Sequence, residues 1–183
     1  MASRIAGTFL PKPAPQPTEA EKQAAVVSIA ETICPPVNVR QGAATLTLPP
    51  NNTDAFALRY QGAFADMARE CNISNGVMRM KIGIEGRILV GPAGGAGTVD
   101  VPIRYAVVKE GAEPKTVLSK FAKIQVPVAE GQPNVIFTHI NDDIAFPMPS
   151  GLDIEAYIVY VGFDPSGLQQ QPAKKPAAKP VRR

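Results

Sequence analysis

Residues 86–101, GRILVGPAGGAGTVDV, set Gly91, Gly94, Gly95 and Gly97 between two apolar runs. Glycines so packed raise the chemistry of a phosphate-cradling loop. A Walker loop needs G-x-x-x-x-G-K-[ST], because its lysine reaches the terminal phosphates and its backbone donors open a helix. Counting from Gly91, the sixth residue is Ala96, followed by Gly97 and Thr98, and no lysine is present. The dinucleotide pattern G-x-G-x-x-G also fails. The next segment, TVDVPIRYAVV, has period two, so a strand and not a helix terminus succeeds the glycines. The expectation is a flexible hairpin connection. Gly94, Gly95 and Gly97 would there accept positive φ without steric cost, and the loop would be open to a partner.

Other reactive side chains are few. His139 is the sole histidine, and with Asp142 and Asp143 in HINDD it offers one nitrogen and two oxygen ligands for a metal. The competing reading is a structural histidine on a strand. No hydrolase motif joins it to a serine or cysteine, although triads need not be local in sequence. Glu70, Asp66 and Glu85 form no paired-carboxylate motif for glycoside chemistry. Asn51-Asn52-Thr53 and Asn72-Ile73-Ser74 match the glycosylation acceptor, a triplet common by chance. Cys34 and Cys71 are the only cysteines, too far apart in sequence for a C-x-x-C knot. Two readings stay open: two buried thiols, or a disulfide closing a loop of about 38 residues in an oxidising compartment. No cofactor motif is present, and the expectation is a protein without catalytic residues.

Periodicity supplies the framework that carries these residues. Residues 18–33 read as a short helix, with Thr18 as cap and Glu21 completing a capping box. Beyond Pro36 the period becomes two. VNVRQGAATLTL turns at Gln41-Gly42, and FALRY alternates Phe56, Leu58 and Tyr60 as a strand. After Gly62 the phase slips, which predicts a bulge, and Asn75-Gly76 signals a hairpin. VMRMKIGIEGRILV turns Met78, Met80, Ile82 and Ile84 one way and Arg79, Lys81 and Glu85 the other. Val99, Val101, Ile103, Tyr105 and Val107 repeat the device against Asp100 and Arg104. VLSKFAKIQVPV and NVIFTHI are further strands, and IEAYIVYVGF, apolar on both faces, reads as a central one. No amphipathic helix separates the strands, which argues against βαβ units. The fold class expected is an all-β, antiparallel, immunoglobulin-like sandwich of seven to nine strands, with a short N-terminal helix and disordered ends.

Composition sets the boundaries. The 19 prolines are unevenly spread, with Pro11, Pro13, Pro15 and Pro17 crowding one end and Pro172, Pro176 and Pro180 the other, so 1–17 reads as a Pro-rich disordered leader, 34–164 as the sandwich domain and 165–183 as a disordered tail. The net charge of +3 conceals an asymmetry: Lys174, Lys175, Lys179, Arg182 and Arg183 give the tail +5, leaving −2 for everything before it. A nearly neutral body carries no basic face for specific nucleic-acid binding. The tail allows a weak contact with an anionic surface; the alternative is a solvated tail that aids solubility. No apolar run is long enough to span a membrane. The start, MASRIAGTFLPKP, has no apolar stretch of signal-peptide length, so the chain as written reads as cytosolic.

Several stretches together resemble a group of small alphaproteobacterial envelope proteins, many of them predicted lipoproteins of unknown function. They are CPPVNVRQGAATLTL, RYQGAFADMARECNISNGVMRMKIGIEGRILVGPAGGAGTVDVPIRYAVV and YIVYVGFD, within Cys34 to Asp164. ARECNISNGVMRMKIGIEGRILVGPAGG is the most specific part. The resemblance implies a periplasmic or cell-envelope location and favours the Cys34–Cys71 disulfide; it supplies no catalytic residues. Three functions are then expected, in order. The first is a non-enzymatic envelope module that binds protein or polysaccharide through the glycine loop, the loop around Asn51-Asn52 and the turn EGAEPK. The second is a metal- or carbohydrate-binding domain using His139, Asp142 and Asp143. The third is a cytosolic protein whose basic tail holds a polyanion.

Overall fold

A computed structural model describes Thr18, residues 33–50 and residues 53–170, except for the side chains of Leu152 and Gln170. All of the expected helix over 18–33 but its two end residues, the Pro-rich leader, Asn51-Asn52 and the basic residues of the tail lie outside the described residues.

Eight strands succeed one another: β1 (Val37–Val39), β2 (Thr45–Leu48), β3 (Tyr60–Ser74), β4 (Val77–Val90), β5 (Gly97–Lys109), β6 (Lys115–Val128), β7 (Asn134–Pro147) and β8 (Tyr157–Phe163). They form two four-stranded sheets, ordered β1-β8-β5-β6 and β2-β3-β4-β7. All pairings are antiparallel except β1 with β8. This is the expected antiparallel β-sandwich. Its strand order is its own: an immunoglobulin domain keeps its last two strands in one sheet, whereas β7 and β8 lie in opposite sheets.

Period two builds the core. Met78, Met80, Ile82 and Ile84 of β4 face Val99, Val101, Ile103, Tyr105 and Val107 of β5, all buried. The opposite parity of β4, Arg79, Lys81, Glu85 and Arg87, is exposed. Burying one face of each sheet fixes register, since a one-residue slip would turn every apolar side chain to water. Between the sheets, Phe64 of β3 stacks on Phe163 of β8 with ring centroids 4.1 Å apart. The slip after Gly62 is a bulge between Phe64 and Asp66. Asn75 and Gly76 turn the β3–β4 hairpin with φ of 52° and 72°, the left-handed pair that such tight turns need.

Two expectations are corrected. FALRY is not one strand, because Ala55–Ala57 form a 3₁₀ turn. The Asp54 carboxylate accepts a hydrogen bond from the Phe56 N–H at 2.9 Å, offering the backbone a local alternative to a ladder. β3 therefore begins only at Tyr60. The glycine segment is also not a hairpin connection, because β4 pairs with β3 and β7 while β5 pairs with β6 and β8. It carries the chain from one sheet to the other.

Candidate functional site

The glycine crossover is closed by its own backbone. The N–H groups of Gly91 and Ala93 donate to the carbonyls of Arg59 and Leu58 at 2.8 and 3.0 Å, and that of Gly94 donates to Gly91 at 2.9 Å. The Tyr60 hydroxyl donates to the Gly95 carbonyl at 2.7 Å. These donors are spent inside the protein, so Gly91, Ala93 and Gly94 hold no backbone N–H free for an anion. Close approach explains two glycines: a Cβ on Gly91 or Gly94 would run into the carbonyl oxygens of Leu58 and Arg59. Of the three glycines expected to use positive φ, only Gly97 does, at 153°.

His139, Asp142 and Asp143 do not converge. His139 shares the inward parity of Phe137 on β7, and its ring centroid lies 6.3 Å from that of Tyr105 across the core. Burial pushes its imidazole below the ordinary histidine value. Asp143 turns outward instead, where Lys120 of β6 meets it at 2.7 Å. A bulge in β7 at this point separates the two directions. Among the described residues no three His, Cys, Asp or Glu side chains gather to hold a metal ion. Tyr105 is buried, its hydroxyl has no partner among the described residues, and burial raises its pKa above the ordinary value.

Cys34 and Cys71 do meet. Cys34 precedes β1 of one sheet and Cys71 lies on β3 of the other; their sulfurs stand 2.03 Å apart and their Cα atoms 5.7 Å apart. The pair is able to close a disulfide between the layers.

The concave feature with convergent polar groups lies elsewhere, on the outer face of the β1-β8-β5-β6 sheet. Register sets Gly162 beside Arg104 and Arg104 beside Phe121, with Tyr160 beside Ala106 in the next row. Small side chains leave a trough of about 750 Å³. Its wall is strapped down by the Arg40–Ala43 turn: the Arg40 N–H donates to Val161 at 2.8 Å and the Phe163 N–H donates to Ala43 at 2.9 Å. A Cβ on Gly162 would sit 2.6 Å from that of Ala43, so glycine is what lets the turn lie this close.

The polar groups are pre-oriented. Arg104 Nε donates to Asp164 Oδ2 at 2.6 Å and its Nη1 to Ser119 at 3.2 Å, and the guanidinium lies 5.5 Å from the Phe121 ring. Ser166 donates to Asp164 Oδ1 at 2.5 Å. Burial pushes the Asp164 carboxyl up, but the hydrogen bonds from Ser166 and Arg104, with the guanidinium charge, outweigh it and hold the group below its ordinary value. The Tyr160 hydroxyl donates to Glu110 Oε1 at 2.8 Å, which raises the phenol pKa. Arg40 stacks on the Tyr160 ring at 5.2 Å. Arg40 and Arg104 thus balance Glu110 and Asp164, and the trough is formally neutral.

Sequence reasoning missed this group. Arg104 was legible as an outward side chain, but its partner Asp164 is 60 residues away and Tyr160 is 50 from Glu110. The remaining signal was a glycine in a strand otherwise of large residues, a mark of close backbone approach. Comparison with family models, with curated proteins and with solved structures finds no match to this chain. Among the described residues no helix is long and apolar enough to cross a membrane.

Proposed function

We propose that the chain is a non-catalytic binding module of the bacterial cell envelope that takes a neutral stretch of envelope polysaccharide in the trough over Gly162. The observation that carries this reading is the trough itself: about 750 Å³, within the size range of small-ligand sites, rimmed by fixed donors and acceptors of cancelling charge. Arginine forks and carboxylates in known orientations suit the donor–acceptor pairs of sugar hydroxyls. Tyr160 adds flat apolar surface. A neutral rim does not concentrate phosphates, which sets a polyanion apart from this ligand. The Ser166 hydroxyl donates to Asp164, but Ser166 and Arg104 hold that carboxyl below its ordinary pKa, and His139 lies in the opposite sheet, so among the described residues the hydroxyl has only a weak base beside it. The cysteine pair supports an oxidising compartment, in keeping with the envelope resemblance.

The test is calorimetric titration of the purified chain with soluble cell-wall glycan fragments. Binding is expected in wild type, with at least a tenfold loss in Ala106→Leu, which fills the floor without entering the core. Absence of binding, or equal binding by Ala106→Leu, would overturn the reading.

A further inference from the structure

The edges of the two sheets on the β6/β7 side differ in how they meet water. No described strand pairs with the outer edge of either. β6 carries Lys115, Lys120, Lys123 and Pro127, the charges and proline that discourage strand addition. β7 from Asn134 to Asn141 (NVIFTHIN) has neither lysine nor proline and is rich in β-branched and aromatic residues. Its one titratable side chain, His139, turns inward and is biased to the neutral form by burial.

Hydrogen-bond parity gives this edge a direction. The Val90 N–H donates to the Pro133 carbonyl at 2.9 Å. In an antiparallel ladder the bonded pairs alternate, and the β4–β7 register is unbroken from Leu89↔Asn134 to Ile82↔Asn141. The backbone groups of Val135, Phe137 and His139 therefore point to β4. Those of Ile136, Thr138 and Ile140 point away from the sheet. Ile136 and Ile140 are also 60 % and 64 % exposed, the two most exposed large aliphatic side chains on any described strand. They stand two residues either side of Thr138, on one face.

That spacing is self-complementary. We propose that β7 pairs antiparallel with β7 of a second copy across a two-fold axis at Thr138. Thr138 then exchanges both backbone hydrogen bonds with its counterpart, and Ile136 of each copy lies directly opposite Ile140 of the other. Asn134 falls opposite Asp142, so no like charges meet. The same operation on β6 would gather lysines, which is why β7 is the edge assigned. An isologous contact of this kind closes at two copies, and joins the two β2-β3-β4-β7 sheets into one of eight strands. The contact is small, so the dimer is transient and concentration-dependent.

Sedimentation equilibrium of the full chain tests this. Wild type is expected to pass from monomer to dimer between about 10 µM and about 1 mM, the range implied by a small interface. Ile136→Lys and, separately, Thr138→Pro, which deletes an outward N–H, are expected to stay monomeric while keeping the wild-type circular dichroism spectrum. Ile136→Lys combined with Ile140→Glu is expected to restore a salt-sensitive dimer, because each introduced lysine faces the other copy's introduced glutamate. Within one copy the same two positions are too far apart along the strand to pair. A wild type monomeric at 1 mM, a dimer indifferent to Ile136→Lys, or a double variant that stays monomeric would overturn the proposal.

Discussion

On the flank that carries β1 and β2, a three-residue strand is followed by a tight turn, and Cys34 meets Cys71 of the facing sheet. On the flank that carries β6 and β7, two strands of 14 residues face each other. The cross-sheet ion pair there, Lys120 with Asp143, is exposed on both sides. Short strands bury little and cannot hold their place by packing alone; long ones can. A covalent tie therefore stands where the strand is shortest. A weak polar tie suffices where apolar side chains such as Val126, Phe137 and Ile144 already fill the layer. The sandwich is held by chemistry at one flank and by burial at the other.

The two flanks are told apart most sharply at the cysteines. In the oxidised protein, Cys34→Ser with Cys71→Ser is expected to lower unfolding free energy by about 3–4 kcal/mol on the chain-entropy account. Urea denaturation measures the loss. Amide exchange should show β1 and its partner β8 losing protection before β6 or β7 does. A loss below about 1 kcal/mol would put the two flanks on a par.

A smaller effect is expected beside the long-strand flank, where Tyr105 of β5 and His139 of β7 bring polar groups toward the core. The imidazole pKa is lowered in the fold by burial. The unfolded chain then binds the proton more readily, so stability is fully present above the ordinary histidine range and falls as pH drops through it toward the folded value. Denaturation at stepped pH should show this decline in wild type and its loss in His139→Gln. Tyr105→Phe removes a hydroxyl with no partner among the described residues. It is expected to leave stability unchanged or raised by up to about 1 kcal/mol.

Much of this architecture was legible in the chain. Alternation in β4 and β5 named the buried residues, Asn75-Gly76 named a turn, and the phase slip named a bulge. Period two states which way a side chain points, yet it says nothing about which strand lies alongside. The segment from Gly91 to Gly97 therefore reads the same whether it turns within a sheet or crosses between sheets. Its deciding contacts, the carbonyls of Leu58 and Arg59, are distant in sequence. The trough was hidden for the same reason: Arg40, Arg104 and Asp164 are ordinary surface residues until register assembles them. HINDD left two readings open because the bulge that reverses the faces of neighbouring residues leaves no mark in the sequence; it sends His139 inward and Asp143 out.

The least effect is expected at Lys120. Its side chain and that of Asp143 are 37 % and 76 % exposed, so solvent screens the pair and ordering two mobile side chains offsets the attraction. Lys120→Ala should cost no more than about 0.5 kcal/mol in low salt and nothing measurable in high salt. Thermal melts at two ionic strengths check this. A cost as large as that of losing the cysteine pair would mean that the long strands do not hold their flank by burial. The division of labour between the two flanks would then be wrong at its root, since the polar tie would be fastening strands that apolar packing is argued to secure.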